Sequence, residues 1–588
     1  MKVLKSLLCS IAILSGACTQ NSDQVEGAIN TEQIQRSSVQ MGITPLTDTG
    51  MVVAANPHAT QAGIQILEAG GSAIDAAIAV QTVLGLVEPQ SSGLGGGAFM
   101  VVYDGQTGDV WSYDGREEAP SDISSNLFLD DEGNPVRRFP AVASGKSTGT
   151  PGAIVMLYRA HEDYGKLPWE SLMVPATALA EDGFAISPRM ANLMKRMGNF
   201  FLKDNPAAFD YFFTGETDTE GKFITHPVGF VRDNPDYAES LKAIGQNPRA
   251  LLEGPLGEKI VQAVAQPPRG GSLSLADMAR YQPIKTAGLC SPYREYTICG
   301  AQPPASGGVA VQAIMGILSN FDMSAMNQTQ EGWHHFAEAS FLAYADRDKY
   351  VADPRFVTVP VKAMLDPDYL RERAGLISTD KAIEDVKAGA LGPAGKDATP
   401  DNPGTSHFSV IDKNGLVVSL TTTVEAPFGS QRMTGGFMLN NQLTDFSFTT
   451  VDEDGLPIAN APAPGKRPRS SMSPTIIFDK DGEFLFSTGS PGGNSIIAYT
   501  AKTIIGILDW GLTPQEAIEL PNFIARNKSI RLEEKGMDED IITGLEALGH
   551  KIVRSKGEIS GLHIIYRDKS GALSAGVDPR REGTAQTY

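Results

Sequence analysis

A threonine preceded by a small residue opens an apolar segment in the last third of the chain, at Gly404-Thr405-Ser406-His407-Phe408. If the chain were cut before Thr405, this residue would carry a free α-amino group, whose ordinary pKa of about 8 lets it act as a base beside its own hydroxyl. One residue would then supply both the nucleophile and the base of an acyl-transfer reaction. The other interpretation is that Thr405 is a polar residue at a strand edge, and this motif alone does not decide between them.

The last third of the chain predicts strand hairpins. Residues 407–411 and 416–424 flank Asp412-Lys413-Asn414-Gly415, whose Asn-Gly pair suits the positive φ angles of a tight turn. Two more hairpins follow the same plan: residues 475–478 with 483–487, and residues 562–566 with 572–577. The capping box Thr513-Pro514-Gln515-Glu516 begins a helix between them. Sheets covered by helices are the expected packing.

The first two thirds of the chain is rich in helical apolar spacing. Residues 59–86 show it, with Gly70-Gly71 as a break between two helices. Further helices are predicted at residues 153–164, 169–181, 309–318 and 333–350. Residues 385–404 lose the apolar period and are rich in Gly, Ala, Lys, Asp and Pro, which predicts a linker or flexible arm in front of Thr405.

The composition is that of a globular protein: 588 residues, of which 41% are hydrophobic and 20% charged. This length suits two to four domains or one large enzyme domain. The chain has 49 Lys and Arg against 69 Asp and Glu, a net charge of −20. A polyanion would be repelled outside a local basic pocket, so the charge argues against nucleic-acid binding.

The first residues resemble an export signal. Lys2 and Lys5 precede an uncharged run, residues 6–17, that is too short to span a bilayer. Leu14-Ser15-Gly16-Ala17-Cys18 resembles a lipoprotein box, in which Cys18 is lipidated; the alternative is an ordinary signal peptide cut nearby. Both predict a signal peptide over residues 1–18, a flexible tether over residues 19–48, and an extracytoplasmic, periplasmic location, with a membrane anchor if Cys18 is lipidated.

The cysteine and histidine residues show which disulfide and metal sites the sequence allows. Without the leader only Cys290 and Cys299 remain, flanking a segment that could fold back as a hairpin. In an oxidising compartment we expect a disulfide, with two buried free thiols as the alternative. The eight His residues are scattered, and neither His-Glu-x-x-His nor Cys-x-x-Cys occurs. The sequence therefore predicts no metal site and no cofactor.

Long, ordered motifs cover most of the chain after the tether. The first two thirds contains Asn56-Pro57-His58-Ala59, residues 70–77, the glycine-rich residues 92–97, Arg116-Glu117-Glu118-Ala119-Pro120 and residues 303–308. The last third contains residues 439–442, Asp445-Phe446-Ser447, residues 467–474 and Gly489-Ser490-Pro491-Gly492-Gly493. Over residues 51–582 the sequence thereby resembles the γ-glutamyltransferases, which are self-cleaving N-terminal nucleophile hydrolases.

This resemblance implies an α/β (α+β) fold, a four-layer α/β/β/α sandwich formed jointly by two subunits. The precursor is expected to cut itself between Gly404 and Thr405 into a large subunit, residues 49–404, and a small catalytic subunit, residues 405–588, that stay together as a heterodimer. Thr405 is then the nucleophile. Thr423 matches the family's second threonine on the returning strand of the same hairpin, where its hydroxyl can bond the Thr405 amine or hydroxyl. Gly492 and Gly493 match the oxyanion-hole glycines, in front of a helix predicted from residue 495.

The resemblance also implies a pocket for the two charges of a γ-glutamyl donor. Arg116 would form a bidentate pair with the α-carboxylate. The hydroxyls of Ser470 and Ser471 would complete the hydrogen bonds to this carboxylate. Asp445 would face the α-ammonium, and Gln442 and Glu425 would accept its remaining hydrogen bonds. A surface ion pair of Arg116 with Glu117 or Glu118 is the alternative for that arginine.

Two departures bear on the substrate. Glu425 stands where many members have Asn. Some members close the pocket with a Tyr on a lid loop, whereas residues 446–469, the matching segment here, contain no Tyr. This absence predicts a short or open lid, which would let water reach the acyl group and make hydrolysis a major reaction. The expected donor is glutathione or another γ-glutamyl compound, with water, amino acids or dipeptides as acceptors. The alternatives are a glutaryl- or cephalosporin-type amidase on the same scaffold, and a lipid-anchored binding protein that stays uncleaved.

Overall fold

Two large antiparallel sheets form the centre of the molecule. The structure, a computed structural model, describes residues 38–44, 48–399, 404–556 and 560–588. The first sheet has eight strands, with Ile284–Ala287 pairing with Asp109–Asp114 beside the main order. That order is Val39–Gln40, Asp109–Asp114, Gly97–Asp104, Leu416–Thr423, Ser406–Ile411, Met51–Ala54 and Thr584–Thr587.

The second sheet has six strands and carries the other two predicted hairpins. Its order is Leu289–Tyr293, Tyr296–Gly300, Thr475–Phe478, Phe484–Gly489, His563–Arg567 and Leu573–Val577. Smaller sheets join Phe523–Arg526, Ser529–Glu533 and Ile552–Ser555; Met433–Thr434 and Phe437–Met438; Phe184–Ala185 and Val231–Arg232; and Phe213–Thr217 and Phe223–Thr225.

Helices cover the outer face of each large sheet. Those on the first sheet's side are Pro57–Glu68, Ala73–Val87, Ala153–Tyr164, Val174–Asp182, Pro188–Met197, Pro206–Phe212, Pro235–Gln246, Gly254–Ala265 and Leu275–Arg280. Those on the second sheet's side are Ser306–Leu318, Gln330–Tyr350, Pro367–Ala374, Ser495–Leu508, Pro514–Glu519 and Glu539–Ala547. Arg138–Val142 and Val361–Met364 are short helices outside these two cores.

The apolar cores follow the alternation of side chains along each strand. Val52 packs with the first helical layer, whereas its neighbour Val53 packs between the sheets. In the second sheet Ile476 faces the first sheet and Ile477 faces the second helical layer. Successive side chains of a strand point to opposite faces, so strands buried on both faces are apolar throughout. Three cores therefore separate four layers, and the predicted α/β/β/α sandwich is confirmed.

The three predicted hairpins form, but their turns differ from the prediction in one respect. At the first turn Gly415 adopts φ 78°, whereas Asn414 does not adopt a positive φ. The N–H of Gly415 donates to Asp412 O at 3.0 Å, and the Asp412 side chain accepts from the N–H groups of Asn414 and Leu416. The Asp412 side chain stabilises a four-residue turn, in which only the last residue, Gly415, adopts a left-handed backbone conformation.

The predicted helices are found with small shifts at their ends. Residues 59–86 form two helices separated at Gly70-Gly71, and Ser72 and Asp75 cap the second one reciprocally. The helix predicted at residues 169–181 is a 3₁₀ turn, Trp169–Met173, followed by Val174–Asp182. Pro175, which tolerates only the first turn of a helix, explains this division.

Cys290 and Cys299 face each other on paired strands and form a disulfide. The predicted signal peptide, Cys18 and most of the tether lie outside the described residues. Among the residues that are described, no helix is long and apolar enough to cross a membrane.

Candidate active site

Thr405 lies directly before the strand Ser406–Ile411, in the wall of a cavity. The structure brings nearly all the predicted catalytic and substrate-binding residues to this cavity, although they come from distant parts of the chain. Those that line it are Arg116, Thr405, Thr423, Glu425, Gln442, Asp445, Ser470, Ser471 and Gly493. Gly492 directly precedes Gly493 and does not line the cavity itself.

The hydroxyl of Thr405 lies against the peptide bond that is predicted to break. Thr405 Oγ1 donates to Gly404 O at 2.7 Å and is 3.2 Å from Thr423 Oγ1. Thr423 Oγ1 donates to the same carbonyl at 2.5 Å and accepts from the Glu425 N–H at 2.8 Å. A carbonyl held by two donors is polarised toward attack, and the attacking oxygen is already beside it.

Position 404 has no room for a side chain, because the backbone just after the strand Leu416–Thr423 passes close to it. A Cβ at this position would collide with the carbonyl oxygen of Glu425 and lie 2.8 Å from the backbone of Ala426. On the other side of the bond, Arg581 Nη1 donates to Thr405 O at 2.8 Å. Both residues of the predicted cleavage site are therefore held by buried contacts.

Gly492 and Gly493 form the connection between the strand Phe484–Gly489 and the helix Ser495–Leu508. Both have positive φ, 138° and 59°, and a Cβ on Gly492 would lie 2.7 Å from the Tyr499 ring. The helix starts where the sequence predicts it. Gly493 and Ile496, at its N-terminal end, line the cavity, so the partial positive charge of the helix end lies at the cavity wall, where it favours an oxyanion.

Arg116 is not on the surface, as the alternative interpretation required, but fully buried. Its Nη2 donates to Asp445 Oδ2 at 2.5 Å and to Arg469 O at 2.8 Å, and its Nε donates to Pro468 O at 3.0 Å. Behind it lies the Glu117 carboxyl, 3.9 Å from Arg116 Nη1, and burial raises the pKa of Glu117 to about 8. Arg116 and Asp445, predicted to bind opposite ends of a donor, thus bind each other in the uncleaved chain.

Glu425 is the second carboxyl of the cavity. Its backbone has φ 80°, and its Oε2 accepts from Asn441 Nδ2 at 2.6 Å. Arg138 Nη2 lies 3.7 Å from Oε1. Burial raises the pKa of Glu425 well above its ordinary value, and the negative charge of Asp445 adds to this effect. A cation in the cavity would lower this pKa, because it would stabilise the ionised carboxylate and offset the charge of Asp445.

Sequence reasoning missed the arginines of the cavity wall. Arg347 donates from Nη2 to Ser471 Oγ at 2.5 Å, and Ser471 Oγ donates to Asn494 Oδ1 at 2.8 Å. Arg469 belongs to the motif at residues 467–474, which by itself predicts no role for this arginine; its Nη2 pairs with Asp397 Oδ2 at 2.7 Å. Arg347 lies within a helix, Gln330–Tyr350, whose pattern gives no sign of a site.

The predicted linker is irregular but not a free arm where it is described. Asp397 is buried and accepts from Asn460 Nδ2 at 3.0 Å as well as from Arg469. Gly395 pairs with Ile458, which belongs to the predicted lid segment. The linker and residues 446–469 therefore pack together beside the cavity. Thr399, at the end of the described part of the linker, lines the cavity.

A threonine directly before a central strand of an α/β/β/α sandwich, with its hydroxyl hydrogen-bonded to the carbonyl of the preceding peptide, is the arrangement of an N-terminal nucleophile hydrolase. The family model of gamma-glutamyltranspeptidase matches residues 59–588, and the chain belongs to this family.

Three known proteins are similar over most of their length. A glutathione hydrolase proenzyme of Bacillus subtilis (strain 168) is 35% identical over 555 residues, covering 91% of each chain. A protein of the same name from Escherichia coli (strain K12) is 35% identical over 546 residues, covering 90% of each. The crystal structure of a cephalosporin acylase from Bacillus halodurans matches with a TM-score of 0.79 at 26% identity, covering 98% of this chain and 99% of that one.

Proposed function

We propose that this protein is an exported, self-cleaving enzyme that breaks the γ-glutamyl amide of glutathione and related compounds and passes the acyl group to water, amino acids or dipeptides. One observation carries the proposal: the Thr405 hydroxyl donates to the Gly404 carbonyl in a cavity that three arginines and two carboxyl side chains line. Arg116 suits a carboxylate, and Asp445 and Glu425 suit an ammonium. An α-amino acid carries both charges.

Maturation starts with attack of Thr405 Oγ1 on the Gly404 carbonyl carbon. The C–N bond breaks, the nitrogen takes a proton, and an ester joins Gly404 to the threonine oxygen. Water then hydrolyses the ester, which leaves a carboxylate on Gly404 and a free amine on Thr405. Thr423, whose hydroxyl already donates to the Gly404 carbonyl, stabilises the charge that develops on that oxygen.

Turnover uses the same oxygen. The Thr405 amine takes the hydroxyl proton while Oγ1 attacks the γ-carbonyl of the donor, and the N–H groups at Gly492 and Gly493 receive the oxyanion. The amine passes its proton to the leaving nitrogen, which gives an acyl-Thr405 ester. Water or the amino group of an acceptor then attacks this ester and restores the enzyme.

An export leader and a lipidated Cys18 fit this function, because residues 1–18 have the charge and apolar pattern of a signal peptide. The mature enzyme would then act on extracytoplasmic γ-glutamyl compounds. Labelling of cells with a radioactive fatty acid, followed by isolation of the wild-type protein and of Cys18→Ala, separates a lipoprotein from an ordinary secreted protein.

Donor choice separates the proposal from its closest rival, a glutaryl- or cephalosporin-type acylase, which the similarity to the cephalosporin acylase favours. A glutaryl anilide lacks the α-ammonium and would leave Asp445 and Glu425 without a cationic partner in the cavity. We expect kcat/KM to be about 100-fold higher for the matched γ-glutamyl anilide, the effect of a lost charged hydrogen bond of about 2–3 kcal/mol. Equal or reversed preference would support the acylase.

The raised pKa of Glu425 predicts how inhibition depends on pH. Glu425 is protonated at pH values where an ordinary glutamic acid is ionised, and it gains its charge only as the pH rises through its raised pKa. L-glutamate, which carries the donor's ammonium but no amide, should therefore inhibit more tightly as the pH rises above the range in which an ordinary glutamic acid ionises. Glu425→Gln should abolish this slope, and its inhibition constant should stay at the low-pH value.

Glutarate is the matched control, because it lacks the ammonium. Its inhibition constant should not fall with rising pH in either protein. A slope for L-glutamate that is the same in wild-type and Glu425→Gln would remove Glu425 from the ammonium site.

A further inference from the structure

Three buried side chains with metal-binding atoms meet outside the active site. His334 and Glu338 lie one turn apart on the helix Gln330–Tyr350, and His550 follows the helix Glu539–Ala547. Their closest ligand atoms lie within 4.8 Å of one another. His334 Nδ1 is 2.8 Å from His550 Nε2, which is 3.7 Å from Glu338 Oε1. His334 and Glu338 are fully buried, and His550 is 6% exposed.

The surroundings of His334 fix which ring nitrogen can bind a cation. Its Nε2 lies 2.7 Å from the carbonyl oxygen of Ser378, so Nε2 must carry the proton and donate it. The lone pair of Nδ1 then points into the cluster. A histidine whose second nitrogen donates to a backbone carbonyl is the usual arrangement of a metal ligand.

Glu338 supplies an independent sign that a ligand is needed. Its Oε2 accepts from the Ile383 N–H at 3.1 Å, but Oε1 is buried and has no hydrogen-bond partner. In the described part of the chain, no Lys or Arg forms an ion pair with Glu338. A buried carboxyl oxygen that has neither a hydrogen-bond partner nor a cation is costly.

We propose that His334 Nδ1, Glu338 Oε1 and His550 Nε2 bind one Zn²⁺. Two histidines and one carboxylate with a fourth position for water form a common zinc ligand set. Ligand atoms around tetrahedral zinc lie about 3.3 Å apart when the Zn–N bonds are about 2.0–2.1 Å. The 2.8 Å contact between the two imidazoles therefore has to open by about half an ångström, within the reach of small side-chain rotations.

The position of the cluster gives the ion a structural role, which rests on the proposed cleavage before Thr405. His334 and Glu338 then belong to the large subunit and His550 to the small one. Zinc would join the two chains after cleavage, at a point where Ala382 N already donates to Leu548 O at 2.7 Å across the same boundary. We expect the ion to oppose subunit dissociation and to leave the chemistry at Thr405 unchanged.

The first experiment titrates the chelator-treated full-length protein with Zn²⁺ in competition with a chromophoric chelator. We expect one equivalent per chain, and affinity more than about 100-fold weaker in Glu338→Gln and in His550→Gln. His335→Gln is the matched control, since His335 is a buried histidine on the same helix that lies outside the ligand set, and it should bind as the wild type does. Co²⁺ added to the wild type should give the visible absorption of a four- or five-coordinate ion.

No tight equivalent in the wild type, or the same loss in His335→Gln as in His550→Gln, would overturn the site. If the ligand variants do not fold, the Co²⁺ spectrum of the wild type decides alone, because binding at surface groups would give only the weak absorption of an octahedral ion. Binding that is equal in cleaved wild type and in uncleaved Thr405→Ala would support the site even if the proposed substrate is wrong.

The second experiment tests the structural role in the cleaved protein. Zn²⁺ should raise the urea concentration at which size-exclusion chromatography separates the two subunits, and EDTA should reverse the effect. Glu338→Gln should dissociate at the same urea concentration with and without Zn²⁺. A zinc effect that persists in Glu338→Gln would contradict the role of this cluster.

Discussion

We expect Thr405→Ala to remain one chain without activity, and the wild type to separate on a denaturing gel into two bands, of which the smaller begins at Thr405. The smaller band should contain residues 405–588, about a third of the chain. The expected loss is complete because the variant lacks both the oxygen that attacks Gly404 and the oxygen that would carry the acyl group. N-terminal sequencing of the smaller band and assay of a γ-glutamyl anilide measure the two effects.

The geometry of the uncleaved chain supports this expectation. Thr405 Oγ1 is 2.7 Å from Gly404 O, and the Thr423 hydroxyl donates to the same atom. The reacting groups therefore need little movement before the acyl shift. Thr405→Ser, which keeps the hydroxyl and loses only the methyl group that restricts χ1, should still cleave and retain reduced activity. A small band that starts at another residue, or an active Thr405→Ala, would remove the basis of the proposed site.

We expect Arg116→Lys to raise KM for γ-glutamyl donors about thirty- to a hundredfold while self-cleavage continues. Lysine keeps the charge but cannot reproduce the planar set of donors that Arg116 offers, which a carboxylate binds with two parallel hydrogen bonds. The expected loss of about 2–3 kcal/mol corresponds to this range. The change is measured as donor KM in steady-state kinetics, with the gel pattern as evidence of correct folding.

The structure adds a condition to this prediction. Arg116 is bound by Asp445 in the uncleaved chain, so a donor carboxylate has to displace Asp445 or share the guanidinium with it. The displaced Asp445 carboxylate can then form an ion pair with the donor's α-ammonium. Arg159→Ala is the control, because Arg159 is an exposed arginine that pairs with Glu162 and Asp163, and its loss should leave KM unchanged. A donor KM that Arg116→Lys leaves at the wild-type value would assign carboxylate binding to other side chains.

The turn residues and apolar periods of the sequence predict the part of the site that lies on the hairpin formed by Ser406–Ile411 and Leu416–Thr423. Turn residues at 412–415 fix the pairing of the strands, and the observed register places Ser406 opposite Thr422, which brings Thr405 beside Thr423. The capping box at Thr513 and the helix from Ser495 were predicted for the same reason, since caps, turns and apolar periods act within a few residues.

The sequence by itself determined the three hairpins, eight of the seventeen described α-helices, the family resemblance and the residues of the hairpin that carry the proposed chemistry. Only the tertiary structure decided that Arg116 binds Asp445, that Arg347 and Arg469 line the cavity, and that His334 and Glu338 meet His550. These contacts join residues far apart in the chain, and no local period or turn encodes them. They exist because two sheets and two helical layers pack in one arrangement, which brings polar side chains from separate elements into the same buried space.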